Sequence, residues 1–136
     1  MKKLGILILA ILLVGCAKTE QPIEIPEDMF ETKINDIQEN RADYIGKRFV
    51  VEGMYNQTET SEGLYQSIYR RTPGCCGDDG MAGFRIVWNG EYPERNDWIR
   101  IQGVLEEYMI DGTGYLQIAA DDLTYPEVRG LEFVQQ

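Results

Sequence analysis

A mainly β fold closed into a small barrel is predicted by three observations. Five strand-like runs, at 48–55, 64–70, 84–88, 98–107 and 115–123, follow one another with turn-forming residues between them. Two of these runs share an apolar-x-apolar-polar-glycine pattern that ends in Gly53 and Gly103, and a glycine inside a strand marks a bulge or a sharp bend. Asp111-Gly112, between the last two runs, is a strong hairpin signal. Bent strands that each serve two sides, five of them within about 75 residues, point to a five-stranded OB-like barrel. An open sandwich is the alternative.

Each element follows in chain order. Lys2 and Lys3 precede an unbroken apolar run from Leu4 to Val14, the charged and apolar regions of a secretory signal. Eleven helical residues rise only about 16 Å, too little for the roughly 30 Å hydrocarbon core, so the run is not a membrane span. Leu13-Val14-Gly15-Cys16 matches the bacterial lipobox, in which small residues precede a cysteine that becomes the lipidated N-terminus. Residues 1–15 are therefore expected to be a removed signal. Cys16 is expected to carry acyl chains, palmitate among the usual ones, and two chains suffice for stable anchoring. From there to residue 29 the chain is polar and acidic with Pro22 and Pro26, the composition of an extended linker, and the folded domain is expected over 30–136. Residues 32–34 read as a short strand. Asn35 with Gln38 then resembles a capping box opening a brief helix through residue 40. Gly46 supplies a turn before the first barrel strand. Phe84, Ile86 and Trp88, then Ile99, Ile101 and Leu105, then Leu116 and Ile118, form the alternating apolar faces expected to meet inside, with Trp88 and Trp98 packing the barrel.

The chain is acidic, with 13 Lys+Arg against 23 Asp+Glu and a net charge of −10. Loss of Lys2 and Lys3 with the signal leaves 11 basic residues against the same acids, a net −12. Such a polyanion repels phosphate backbones and anionic lipid, and no basic cluster with interleaved aromatics offsets it, so nucleic acid is not expected as a partner. There is no histidine, which removes the commonest neutral-pH general base and the commonest metal ligand. No arrangement of nucleophile, base and orienting group is visible, and the protein is read as a non-enzyme.

The chemistry-bearing segment is Arg70-Arg71-Thr72-Pro73-Gly74-Cys75-Cys76-Gly77-Asp78-Asp79-Gly80, between the second and third strands. Its two thiols and two carboxylates fall within five residues of a glycine-rich loop. Thiolates are soft ligands suited to zinc or copper(I), and a carboxylate can complete a zinc set. Cys75, Cys76, Asp78 and Asp79 are the candidate metal or small-ligand residues. Three plainer readings stand beside this one. The pair can be a buried apolar pair or a strained vicinal disulfide; the aspartates can cap the loop; and Arg70 and Arg71 can be ion partners of those aspartates. Reversible thiol redox catalysis is disfavoured by the absence of C-x-x-C spacing.

These residues also carry a resemblance. From about residue 34 to 123 the chain resembles the soluble C-terminal domain of the YcgQ-like bacterial membrane proteins. It shares Tyr44-x-Gly46-Lys47, Phe49-x-Val51-x-Gly53, an arginine five residues before a cysteine pair (Arg70, Cys75, Cys76), Asp79 three residues after the pair, and Asp97-Trp98-Ile99-x-Ile101-x-Gly103. Gly77 and Asp78 stand where that family has two small residues, and a lipid anchor is expected in place of its membrane-spanning half. The resemblance implies an extracytoplasmic module with a cysteine-pair site and a membrane permease as partner. Two function classes follow from the whole reading. One is a lipid-anchored binding module for a metal ion or small ligand; the other is a structural or protein-interaction lipoprotein of the cell envelope with a vicinal disulfide.

Overall fold

The computed structural model describes residues 20–74 and 80–134. Six strands run in the order β1 (Ile23–Glu24), β2 (Arg48–Thr60), β3 (Gly63–Thr72), β4 (Gly80–Val87), β6 (Thr113–Thr124) and β5 (Trp98–Ile110), and a β2–β5 pairing closes β2 to β6 into a five-stranded barrel. β4 and β6 are parallel, β1 lies parallel to β2, and the remaining pairings are antiparallel. This is the OB-like connectivity that the sequence predicts.

Closure depends on strands long enough to belong to two sides. β2 pairs with β5 over 48–54 and with β3 over 54–60. Gly53 sits at the changeover, where a Cβ would stand 2.7 Å from the Tyr69 carbonyl oxygen, so any larger residue would push β3 away. Gly103 plays the equivalent part in β5. The register slips between Gln102 and Gly103, and a Cβ there would collide with the Ala119 carbonyl. Both glycines of the sequence echo therefore mark a bend, as the bulge argument requires. Asp111 and Gly112, at φ 49° and 81°, make the tight β5–β6 turn, whose left-handed pair of residues suits the twist of the flanking strands.

The N-terminal part departs from the sequence reading. Residues 32–34 are not a strand: α1 runs Phe30–Glu39, entered through a 3-10 turn at Glu27–Met29, and α2 follows at Arg41–Tyr44. The helix wins because Phe30, Ile34 and Ile37 recur at helical spacing and all three are buried. They enter the same core cluster as Phe49, Val51, Ile68, Phe84, Ile101, Leu105 and Ile118, so the helix supplies apolar side chains that the strands alone do not. Asn35 lies mid-helix rather than at a cap. Residues 23–29, linker-like in composition, also pack: β1 pairs with β2 and Ile25 is buried in the core.

Candidate functional site

The loop singled out by the sequence is framed by a two-stranded ladder. Thr72 pairs with Gly80 and Arg71 with Met81 at the ends of β3 and β4. Pro73 and Gly74 follow on one side. Cys75, Cys76, Asp78 and Asp79 lie outside the described residues, as does Cys16. The two arginines before the loop point to opposite faces, as successive strand residues must.

Arg70 turns inward and is 3% exposed. Its guanidinium lies between the rings of Phe30 and Trp98, 4.9 Å from each centroid. Nε donates to the Glu52 carbonyl at 2.8 Å, and Nη1 donates to Glu27 Oε2 at 2.5 Å and to the Leu131 carbonyl at 3.2 Å. Glu27 in turn accepts from the Leu131 amide at 2.9 Å. The hydrogen bond from Arg70, and then that from the Leu131 amide, hold the Glu27 carboxyl below the usual carboxylate range. Glu27 is thus an ion partner of Arg70, because the inward face of β3 meets the N-terminal turn and the C-terminal segment; the expected pairing with Asp78 and Asp79 lies outside the described residues. Arg71 faces outward. It pairs with Glu132 at 3.0 Å and lies over the Phe133 ring at 5.8 Å. Its amide donates to the Glu132 carbonyl, and the Val134 amide donates to the Arg71 carbonyl. The C-terminal segment thereby takes the edge of β3 that β2 leaves when it turns toward β5.

A second charged cleft, about 510 Å³, is lined by Glu24, Glu27, Glu52, Arg70 and Arg100. Its carboxylates are occupied. Arg100 Nη1 donates to Glu24 at 2.9 Å and to Glu52 at 3.4 Å, and Trp98 Nε1 donates to Glu52 at 2.6 Å. These contacts strap residues 24–27 to the barrel. Among the described residues no group of three His, Cys, Asp or Glu side chains converges to hold a metal ion.

The outer face of β3, β4, β5 and β6 carries a constellation that the sequence reading missed. Ser67, Arg85, Gln117 and Glu106 form one cross-strand row. The Arg85 guanidinium lies 4.5 Å from the Tyr108 ring centroid and 5.5 Å from that of Tyr65, and Tyr108 packs on Tyr115 at 5.6 Å. Burial is the main reason the Tyr65 hydroxyl is held above the usual phenol value, so that ring stays neutral. Trp98 packs as expected, whereas Trp88 is half-buried with Nε1 donating to the Glu91 carbonyl at 2.9 Å.

The family described as the DUF1980 C-terminal domain matches residues 13–124. The chain belongs to that family. This DUF1980 C-terminal domain has no match among curated proteins. Its fold has counterparts among solved structures. A small single-stranded DNA-binding protein from Streptomyces coelicolor matches with TM-score 0.38 and 15% identity, covering 62% of this chain and 98% of that one. The N-terminal domain of PriB from Thermoanaerobacter tencongensis gives 0.35 and 17%, over 59% and 97%. The mitochondrial single-stranded DNA-binding protein Rim1 from S. cerevisiae gives 0.36 and 16%, over 58% and 93%.

Proposed function

We propose that this DUF1980 C-terminal domain is a binding module of the bacterial envelope, lipid-anchored through Cys16, which takes a soft metal ion or small ligand at Cys75 and Cys76 with help from Asp78 and Asp79. One observation carries the reading: the thiol loop connects two barrel strands whose ends are held in register at Thr72 and Gly80, with the C-terminal segment buttressing Arg71. Strand ends held in register fix where the loop begins and ends, and sites carried on rigid elements are the more precise ones. Zinc or copper(I) fits two thiolates better than a hard cation does. A membrane permease is the partner suggested by the family resemblance. Zinc and copper(I) titration of the full chain purified in detergent under reducing conditions tests the proposal. Tight binding that is lost in the Cys75→Ser, Cys76→Ser double variant is expected; equal binding by both proteins would remove the thiol site.

A protein-interaction role is the second reading, and exposed apolar side chains favour it. Met81 and Phe133 flank Arg71 on its two sides and are 69% and 51% exposed, with Leu131 close by at 59%. In that reading the cysteines form a vicinal disulfide that stiffens the loop for docking. Intact mass before and after reduction and thiol alkylation separates the two, since a disulfide takes up alkylating reagent only after reduction.

A further inference from the structure

The row of Ser67, Arg85, Gln117 and Glu106 lies at the other end of the β3–β4 ladder from the thiol loop. Five residue steps separate Ser67 from Thr72, or about 17 Å of strand. Two clefts meet there, of about 380 and 410 Å³, and both are lined by Tyr65 and Arg85. The first runs over β2 and β3 past Asn56, Thr58 and Ser67; the second passes Tyr108 and Tyr115 toward Arg41. Together they make a groove whose two arms meet at one arginine.

Arg85 is unusual in this acidic protein. Among the described residues its guanidinium has no hydrogen bond and no ion pair, only the faces of Tyr65 and Tyr108. Gln117, its neighbour across the β4–β6 pairing, is 9% exposed. Its Nε2 donates to Glu106 Oε1 at 2.6 Å, while its Oε1 has no partner. A buried polar atom without a partner costs free energy comparable to a lost hydrogen bond, so a native structure that keeps one donor and one acceptor unspent side by side calls for an explanation. For Arg85, which lines both clefts, a ligand that supplies an acceptor is one.

We propose that this groove binds an uncharged oligosaccharide. Sugar rings present an apolar face to aromatic rings and hydroxyls at their rim, which suits Tyr65, Tyr108 and Tyr115 set around the planar Arg85 guanidinium in the lining of the two clefts. The local charge also selects a neutral ligand. Arg41 is paired with Glu107, donating at 3.3 Å, Glu106 stands in the same cross-strand row as Arg85, and the net charge of −10 repels a polyanion. The face of these two strands, with the hairpin turns beside it, is the face OB folds use for extended polymers, oligosaccharides among them. The groove and the thiol loop are separate sites at opposite ends of the β3–β4 ladder.

The test is calorimetric titration of the full chain, purified in detergent with its anchor, with cellotetraose and with chitotetraose. Saturable binding of at least one is expected, weakened about tenfold by Arg85→Ala and by Tyr108→Ala, the loss of one good stacking contact. Tyr108→Trp keeps the platform and should keep the affinity. Preference for cellotetraose would assign the groove to plain pyranose rings, and preference for chitotetraose to acetamido groups, whose C=O can accept from Arg85. The Cys75→Ser, Cys76→Ser variant should bind both sugars as the parent does, so failure of the thiol site and failure of this groove are distinguishable. Urea midpoints matching the parent confirm that the alanine variants are folded; should one be unfolded, Arg85→Lys, which loses the planar stack, carries the same expectation. No saturable binding of either sugar up to about 10 mM, unchanged affinity in the folded Arg85 and Tyr108 variants, or tighter binding of a short oligothymidylate or tetrapeptide would overturn the proposal.

Discussion

At the scale of single residues, Arg70 and Glu27 show how a charge earns a place in a barrel wall. The guanidinium is desolvated but spends its donors on two carbonyls and a carboxylate, and its faces lie against Phe30 and Trp98. Lysine, a point charge without a planar fork, would not reproduce this set. Glu27 is 41% exposed, so solvent screening leaves the ion pair itself a modest share. The Glu27 carboxyl has a folded pKa below its unfolded value. Its contribution is therefore fully present above the unfolded carboxylate value and is lost as pH falls through the folded one. Glu27→Gln should lower the urea midpoint at pH 7, and the gap from the parent should close as the pH drops below about 4, the usual carboxylate range. Parallel urea curves at descending pH check this, and a gap that stays constant would mean that the carboxylate charge plays no part.

At the scale of elements, α1 supplies apolar cover and the bent strands supply closure. Ile37 is fully buried and projects into the core shared with the strands, so Ile37→Ala should cost about 2 to 4 kcal/mol, the range for a cavity-forming truncation in a core. Gly103→Val tests closure. Its side chain would meet the Ala119 carbonyl, which is backbone and cannot swing aside, and the expected loss is at least as large, because the β5–β6 ladder must part at the slip beside it. Chemical denaturation measures both. A Gly103→Val protein as stable as the parent would show that the slip is not needed to close the barrel. The helix was readable in principle, since Phe30, Ile34 and Ile37 have helical spacing. It was obscured by Thr32, Lys33 and Asn35, whose polarity fits either period.

At the scale of the whole molecule, docking of residues 23–29 changes the reach of the anchor. If Cys16 is lipidated, residues 17–22 separate it from β1, a span of no more than about 25 Å, roughly half what a free linker to residue 29 would give. The barrel would then stand close to the membrane, where a membrane partner could meet it. Among the described residues no helix is long and apolar enough to cross a bilayer. On the proposed anchoring, Cys16→Ser should shift the protein from the membrane pellet to the soluble fraction with an unchanged thermal midpoint. Fractionation of cells making the variant checks it, and a variant retained in the pellet would refute lipid anchoring through Cys16.

The barrel strands, their bends and the hairpin are legible in the amino-acid order, because alternation, in-strand glycines and Asp-Gly turns are local signals written within a few residues of the element they specify. That order also settled the family, through spacings such as Phe49-x-Val51-x-Gly53 that are local in the same sense. Folding in three dimensions is what brings Arg70 to Glu27, the C-terminal segment to the edge of β3, and Arg85 between Tyr65 and Tyr108 beside Gln117. These partners are separated by up to 63 positions in the chain, as Arg71 and Val134 are, and no local pattern encodes which strand edge a distant segment will meet. Barrel closure makes that choice, since the register that buries the apolar faces also fixes which outward-facing side chains become neighbours.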